Sequence, residues 1–307
     1  MNMDNSPRLM VFAAVIAALA LTAGCATSRS SGLCESDVAP VAIEGDLAAV
    51  EAAAEAAFLK RESVHSLQTS IDKWRQATQI APAKADNHLK LARALYFLGD
   101  GYLRLDEDEP GMVRALEEAT YFAERALRLQ NDDFKRAVCG RRPYSDAVKS
   151  LRRSDVAAVY WYATALGKYG LATDIVTVLD NKDRIFALIS RVRLLNPGFF
   201  YGAADRYLGA YYTKIPFPRG DVKKSKFHFD AALEREPNYL GTHVLIAEML
   251  ASKYSDRAYA RKLAKQHLDI VLKTPVAVIP ELVAEHRIEK KKAERLMDDL
   301  DTRFPID

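Results

Sequence analysis

Residues 206–237, RYLGAYYTKIPFPRGDVKKSKFHFDAALEREP, decide the fold. Leu208, Gly209 and Tyr212 put a small residue between two large ones within one helical turn, and Ser225, Phe229, Ala232 and Pro237 follow at steps of four, three and five. Small residues one turn apart let two helices touch, and a large ring fills the gap beside them. The prolines and Gly220 in 213–220 mark an extended turn between the two helices, and Asp221 reads as the cap of the second. The same spacings recur at Leu98, Gly99 and Tyr102, at Ser70, Trp74, Ala77 and Pro82, and more loosely at Ala119, Ala123, Ala126 and Asn131.

This recurrence is similar to the tetratricopeptide pattern, in which each repeat is a helical pair. The units are irregular: Pro197 to Pro237 is 40 residues and Pro237 to Pro275 is 38, against a regular length of about 34. Helical stripes run through Leu91, Leu95, Leu98 and Tyr102, through Ile279, Leu282, Val283 and His286, and through Ala293, Leu296, Met297 and Leu300. Ser154 reads as a further N-cap, and 106–111 as a surface turn. No strand-like alternation persists over six residues. The expectation is an all-α chain, a degenerate helical-pair solenoid of about twelve helices, compact and with room for an internal cavity.

Composition agrees. The 307 residues are 49% hydrophobic and 28% charged, enough apolar material for a sizeable core. Gly and Pro total only 26 against 47 alanines, a balance that favours helices. The net charge of +3 lacks the basic excess of a dedicated nucleic-acid binder, so no nucleic-acid partner is expected.

The N-terminus carries an address. The apolar run 10–21 is too short to span a bilayer and fits the core of a secretory signal. It ends in Leu21-Thr22-Ala23-Gly24-Cys25, which resembles a bacterial lipobox. On this reading 1–24 is a signal peptide, Cys25 is acylated, 25–43 is a Ser-rich tether and 44–307 is the helical domain. Ala26, rather than Asp, favours the outer membrane. Cys34 and Cys139 are then expected to pair in an oxidising compartment, the alternative being two unrelated thiols. A bridge closing about 100 residues would constrain the unfolded chain by roughly 4–5 kcal/mol in the entropic account.

Catalytic signatures are missing: the sequence has no phosphate loop, HExxH, GxSxG or CxxC. The six histidines are scattered singly, and 289–292 (EKKK) reads as a solvated helix face. No catalytic residue, metal site or cofactor is expected. The densest group of unusual residues is 197–221, rich in Phe and Tyr with Arg206 and Arg219 among them. Tyrosine offers an apolar face with a polar tip, and arginine a fork that fits a carboxylate.

The series Asn196-Pro197-Gly198-Phe199-Phe200-Tyr201-Gly202, Arg206-Tyr207-Leu208-Gly209-Ala210-Tyr211-Tyr212, Pro216, Gly220-Asp221, Lys224-Ser225, His228-Phe229 and Pro237-Asn238-Tyr239, with Trp161, Ala165 and Lys168 upstream, resembles the T-component family of tripartite ATP-independent periplasmic (TRAP) transporters. The likeness is close over 115–303 and looser over 44–114, and departs from the pattern at Ala203-Ala204-Asp205, where a glycine or proline is expected. The resemblance implies a periplasmic lipoprotein of tetratricopeptide-like fold that associates with the transporter's substrate-binding subunit and holds a hydrophobic ligand in a channel. Tyr201, Arg206, Tyr207 and Tyr211 are the cavity candidates, for a small hydrophobic or organic-acid ligand.

The expected function is therefore that of a membrane-anchored binding protein of a TRAP-type transporter, on the periplasmic face of a bacterial membrane. Its rival is a scaffold for cell-envelope or outer-membrane assembly. The transported substrate, the docking face and any homo-oligomer stay open at this point. The lipobox reading has a direct check: metabolic labelling with an alkyne fatty acid marks the wild-type chain and leaves Cys25→Ala unlabelled. Wild-type protein recovered as unlabelled soluble material would contradict it.

Overall fold

The computed structural model describes residue 29, residues 31–34 and residues 41–305; the signal run and Cys25 lie outside these. Every regular element among the described residues is helical. Five antiparallel pairs follow in order. They are α1 (Leu47–Leu59) with α2 (Val64–Ile80), α3 (Ala85–Phe97) with α4 (Glu109–Gln130), α7 (Val156–Thr173) with α8 (Ile175–Leu195), α9 (Phe199–Lys214) with α10 (Val222–Arg235), and α11 (Leu240–Leu245) with α12 (Arg257–Lys273). Short helices α5 (Asp132–Cys139) and α6 (Tyr144–Ala147) bridge the second and third pairs. A last helix, α13 (Val283–Asp298), packs on α11 and α12 and reaches back to the end of α3, with the short α14 (Leu300–Arg303) behind it.

Local chemistry explains where helices begin. Asp46, Ser63, Asp108, Asn131, Asp174, Asp221 and Asp256 each accept a backbone N–H of the following first turn, worth about 1 kcal/mol apiece. Ser154 does not cap α7. It lies in a 3₁₀ turn, where the Asp155 carboxylate accepts from Arg152 N instead. The stripe beginning at Ile279 is also only half a helix, because Pro280 sets a 3₁₀ turn before α13 starts at Val283.

The repeat residues form the seams. Ser70, Trp74 and Ala77, and Ser225, Phe229 and Ala232, are all buried. Ser70 Oγ donates to Ala54 O at 2.9 Å and Ser225 Oγ to Gly209 O at 2.7 Å, so the same serine ties each second helix to the first. A Cβ on Gly209 would meet the Phe229 ring at 2.7 Å, so this glycine permits the close approach. Two histidines prove to be equivalent repeat positions: His88 and His243 each place Nε2 2.9 Å from a carbonyl six residues back, on Pro82 and Pro237.

Part of the expected tether is docked. Arg29 makes two hydrogen bonds to the buried carboxylate of Glu124 on α4, at 2.7 and 2.9 Å, and Gly32 N donates to the same group at 2.8 Å. Leu33 is buried in the main core, and Cys34 is joined to Cys139 in a disulfide with Cα atoms 5.6 Å apart.

His243 on α11 and His267 on α12 face each other, Nδ1 to Nδ1, at 2.8 Å. Burial pushes both imidazoles down; the neighbouring His243 adds to the effect on His267, lowering it to about 4. The folded state thus binds fewer protons than the unfolded chain, and the stability is present above about pH 6.5 and lost as pH falls toward 4. Urea titrations at pH 7 and pH 5 give a lower midpoint at pH 5, and His267→Gln shrinks that difference.

Candidate ligand cavity

Two helices change pitch where they meet the centre. Leu98–Leu103 at the end of α3 and Ile246–Leu250 at the end of α11 are π-helical turns. Such turns re-aim side chains and recur at functional sites. Here they deliver Asp100 and Glu248 to one cavity of about 160 Å³, lined by α3, α7, α8, α9, α11 and α13.

One end of the cavity is ionic. Asp100 accepts from Lys168 Nζ at 2.5 Å and lies 3.4 Å from Lys292 Nζ and 3.6 Å from Arg104. Burial alone would raise the Asp100 carboxyl, but these cations outweigh it and hold it far below the usual carboxylate range. Arg104 also pairs with Glu248, and Lys292 with Glu289 at 2.9 Å. Lys168 is the one charged side chain in the apolar helix α7, and burial lowers its pKa. The 289–292 run is therefore not a wholly solvated face: Lys292 is 8% exposed and turns into the cavity with Glu289. Thr164 Oγ1 and Glu248 Oε2 are buried without a hydrogen-bond partner among the described residues.

The other end is aromatic. Trp161 packs against Tyr96 at 5.3 Å, Tyr160 at 5.2 Å and Phe200 at 5.4 Å, ring centre to ring centre, and Phe200 meets Tyr239 at 5.9 Å. Burial raises the phenols of Tyr207 and Tyr239 above the usual range, so they remain neutral donors. The backbone here is strained. Phe200, Tyr201 and Gly202 form a left-handed turn, with φ of 42°, 59° and 72°, costing roughly 1–2 kcal/mol for each residue with a side chain. The irregularity lies immediately before Ala203-Ala204-Asp205, which is ordinary helix. Asp205 is buried, accepting from Arg193 Nε at 2.7 Å and lying 2.8 Å from His228 Nδ1, and so joins α8, α9 and α10.

The four candidate residues are distributed unequally. Arg206, Tyr207 and Tyr211 line the cavity; Tyr201 does not, and instead donates its hydroxyl to Glu281 while stacking on Tyr239. Arg206 is committed to the backbone, donating to Tyr201 O at 2.9 Å and Phe200 O at 3.2 Å, with its guanidinium 3.8 Å from the centre of the Tyr239 ring. It holds the left-handed turn in place. Tyr207 reaches Ala163 O at 3.4 Å, over Gly167, where a Cβ would fall 1.8 Å from the Tyr207 oxygen. The lining also includes Arg93, Asp100, Arg104, Lys214, Tyr239, Glu248 and Lys292, which were not anticipated from the sequence as cavity residues. Asp100 and Lys168, lone charges in apolar surroundings, carried the only signal that could have found them.

With this geometry in hand, the comparisons fit. A family profile described as TRAP transporter T-component matches residues 101–304, about two thirds of the chain, and the chain belongs to that family. A search of curated proteins finds no match. Membership implies association with a TRAP transporter. No helix among the described residues is long and apolar enough to cross a membrane.

Removing one partner from a buried ion group leaves charge uncompensated, at about 3–5 kcal/mol. Asp100→Asn lowers the urea-unfolding free energy by about that amount, and a loss under 1 kcal/mol would show that the cluster does not hold the fold.

Proposed function

We propose that this chain is the lipid-anchored T-component of a TRAP-type transporter, held at the periplasmic face through Cys25. It docks the periplasmic substrate-binding subunit and holds a small amphiphilic ligand in the central cavity. The observation that carries the reading is the family match over 101–304, because those residues supply most of the cavity wall. A cavity with one aromatic end and one ionic end suits a ligand that is itself apolar at one end and polar at the other. The chemistry on offer is recognition: donors and rings aimed at a shared space, with no nucleophile–base pair in the reading.

Docking is tested by co-purification. Tagged protein retains a periplasmic substrate-binding subunit of the transporter, also after Cys25→Ser. Mass spectrometry of an organic extract from the same preparation reports any lipophilic cargo. Failure to retain the subunit from solubilised membranes would remove the docking reading.

A further inference from the structure

One surface segment holds the charge of the whole chain. Residues 132–155 carry seven lysines and arginines against four carboxylates, a net +3, and the 307-residue chain has the same net +3. Asp155 is buried and spent on Asn131 and on Arg152 N, so the outer face is more positive still. Arg136, Arg141, Arg142, Lys149, Arg152 and Arg153 are all exposed. Helices α5 and α6 and the turn at 148–150 pack on one another, which gathers these six into one small unit. Two carboxylates pair with three of them: Asp133 lies 2.6 Å from Arg136 and 3.3 Å from Arg152, and Asp146 lies 2.6 Å from Lys149. Arg141, Arg142 and Arg153 have no ion pair among the described residues. Arg141 also stands at φ 59°, a left-handed conformation that glycine adopts freely and other residues only at a cost.

The same unit receives the strap. Cys139, the last residue of α5 and two before Arg141, is bonded to Cys34. Farther back, Arg29 binds Glu124 on α4, which leaves four steps of chain to Cys25, a reach of about 13–14 Å. An anchor this short brings the basic unit near the headgroups, whose attraction acts over about 8–10 Å. We infer that the face formed by α5, α6 and residues 148–153 is an electrostatic contact for anionic phospholipid headgroups, and that it sets which side of the domain faces the bilayer. This rests on the lipid-anchor reading and deepens it. The acyl group fixes the protein to the membrane, and the cations choose its orientation. Five of the six exposed cations are arginine, whose fork takes two phosphate oxygens at once. An acidic protein would answer the same charge, but the short tether puts lipid, not a diffusing partner, beside this face at all times.

The test uses the full acylated chain on two kinds of vesicle, phosphatidylcholine alone and phosphatidylcholine with about one third phosphatidylglycerol. The reporter is a nitrobenzoxadiazole dye on Ser145→Cys, an exposed position between Arg142 and Lys149. Cys34 and Cys139 are bonded to each other and Cys25 carries the acyl group, so the new thiol is the one that reacts. Dye emission rises about twofold or more on the anionic vesicles relative to the neutral ones, and salt at about 1 M, where the screening length is about 3 Å, abolishes the rise. Replacing the three unpaired cations together, Arg141→Gln, Arg142→Gln and Arg153→Gln, abolishes it too, with an unchanged urea midpoint showing an intact fold. Removing the same charge from α12, by Lys262→Gln, Lys265→Gln and Lys273→Gln, leaves the rise in place. Equal emission on both vesicles, or a rise that survives the arginine variant, would overturn the lipid contact. So would a rise that appears only when the substrate-binding subunit is added, which would make this face a protein dock. Dye uptake by the wild-type chain would show Cys25 free and sink the anchor reading instead. Flotation of that unacylated chain then decides the face alone: salt-sensitive flotation with the anionic vesicles supports it, and none overturns it.

Discussion

The fold depends on one carboxylate at the wall of its central cavity. Asp100 gathers Lys168 from α7 and Lys292 from α13, and Arg104 approaches from its own helix. Lys292 is 192 residues away in sequence, so this contact ties α13 to the π turn that follows α3. Arg61 with Glu285 adds a second tie, about two turns nearer the start of α13. Helix α13 supplies Glu285, Ile288, Glu289 and Lys292 to the wall of the cavity. Charges buried this deeply cost several kcal/mol each unless well paired, so the tie holds only while its members are present together. Arg104 extends the requirement, since it contacts the carboxylates delivered by both π turns and makes the irregularity in α3 depend on that in α11.

The opposite end of the cavity is shaped by strain rather than by charge. Two aromatic residues in a left-handed turn would not persist in an isolated peptide. Arg206 captures the carbonyls that this turn turns inward, and Tyr239 covers the guanidinium. The reward is the placement of Phe200 between Trp161 and Tyr239, where an ordinary helical start would aim it elsewhere. One end is thus a salt cluster on relaxed π turns, and the other a ring cluster on a tense one.

What could be read from the sequence follows from the range of the forces involved. Helix pairing was legible because small residues at fixed spacing are local signals, and Ser225, Phe229 and Ala232 sit at the seam where their spacing puts them. The aromatic segment 199–212 was legible as a place because composition is local too. The roles within it were not. Arg206 looks the same in sequence whether it binds a ligand or a backbone, and the difference lies in a turn that leaves no residue signature beyond Gly202. Arg93 was not singled out because its surroundings, in which Arg61 takes the shorter contacts to Glu285, depend on a residue 192 positions away. Lys292 was misread for a related reason. A run of lysines is normally solvated, and only the packing of α13 against the π turn after α3 turns Lys292 inward.

The docked strap alters what an anchor at Cys25 would do. Nine extended residues from Cys25 to Cys34 would let the domain ride about 30 Å from the bilayer. Arg29, however, is bound to Glu124, a side chain with no solvent exposure. Only four steps of chain then remain, a reach of about 13–14 Å. The disulfide to Cys139 secures the strap from its other side, so force on the anchor passes into α4 and α5 rather than into a slack linker. Helix α4 packs directly against α3 and α7, which carry Arg93, Asp100, Trp161 and Lys168. A lipid at Cys25 would therefore hold the cavity-bearing helices at a nearly fixed height above the membrane. An adaptor that must meet a partner working at the same surface gains from that restriction, because it shrinks the volume in which the two must find each other.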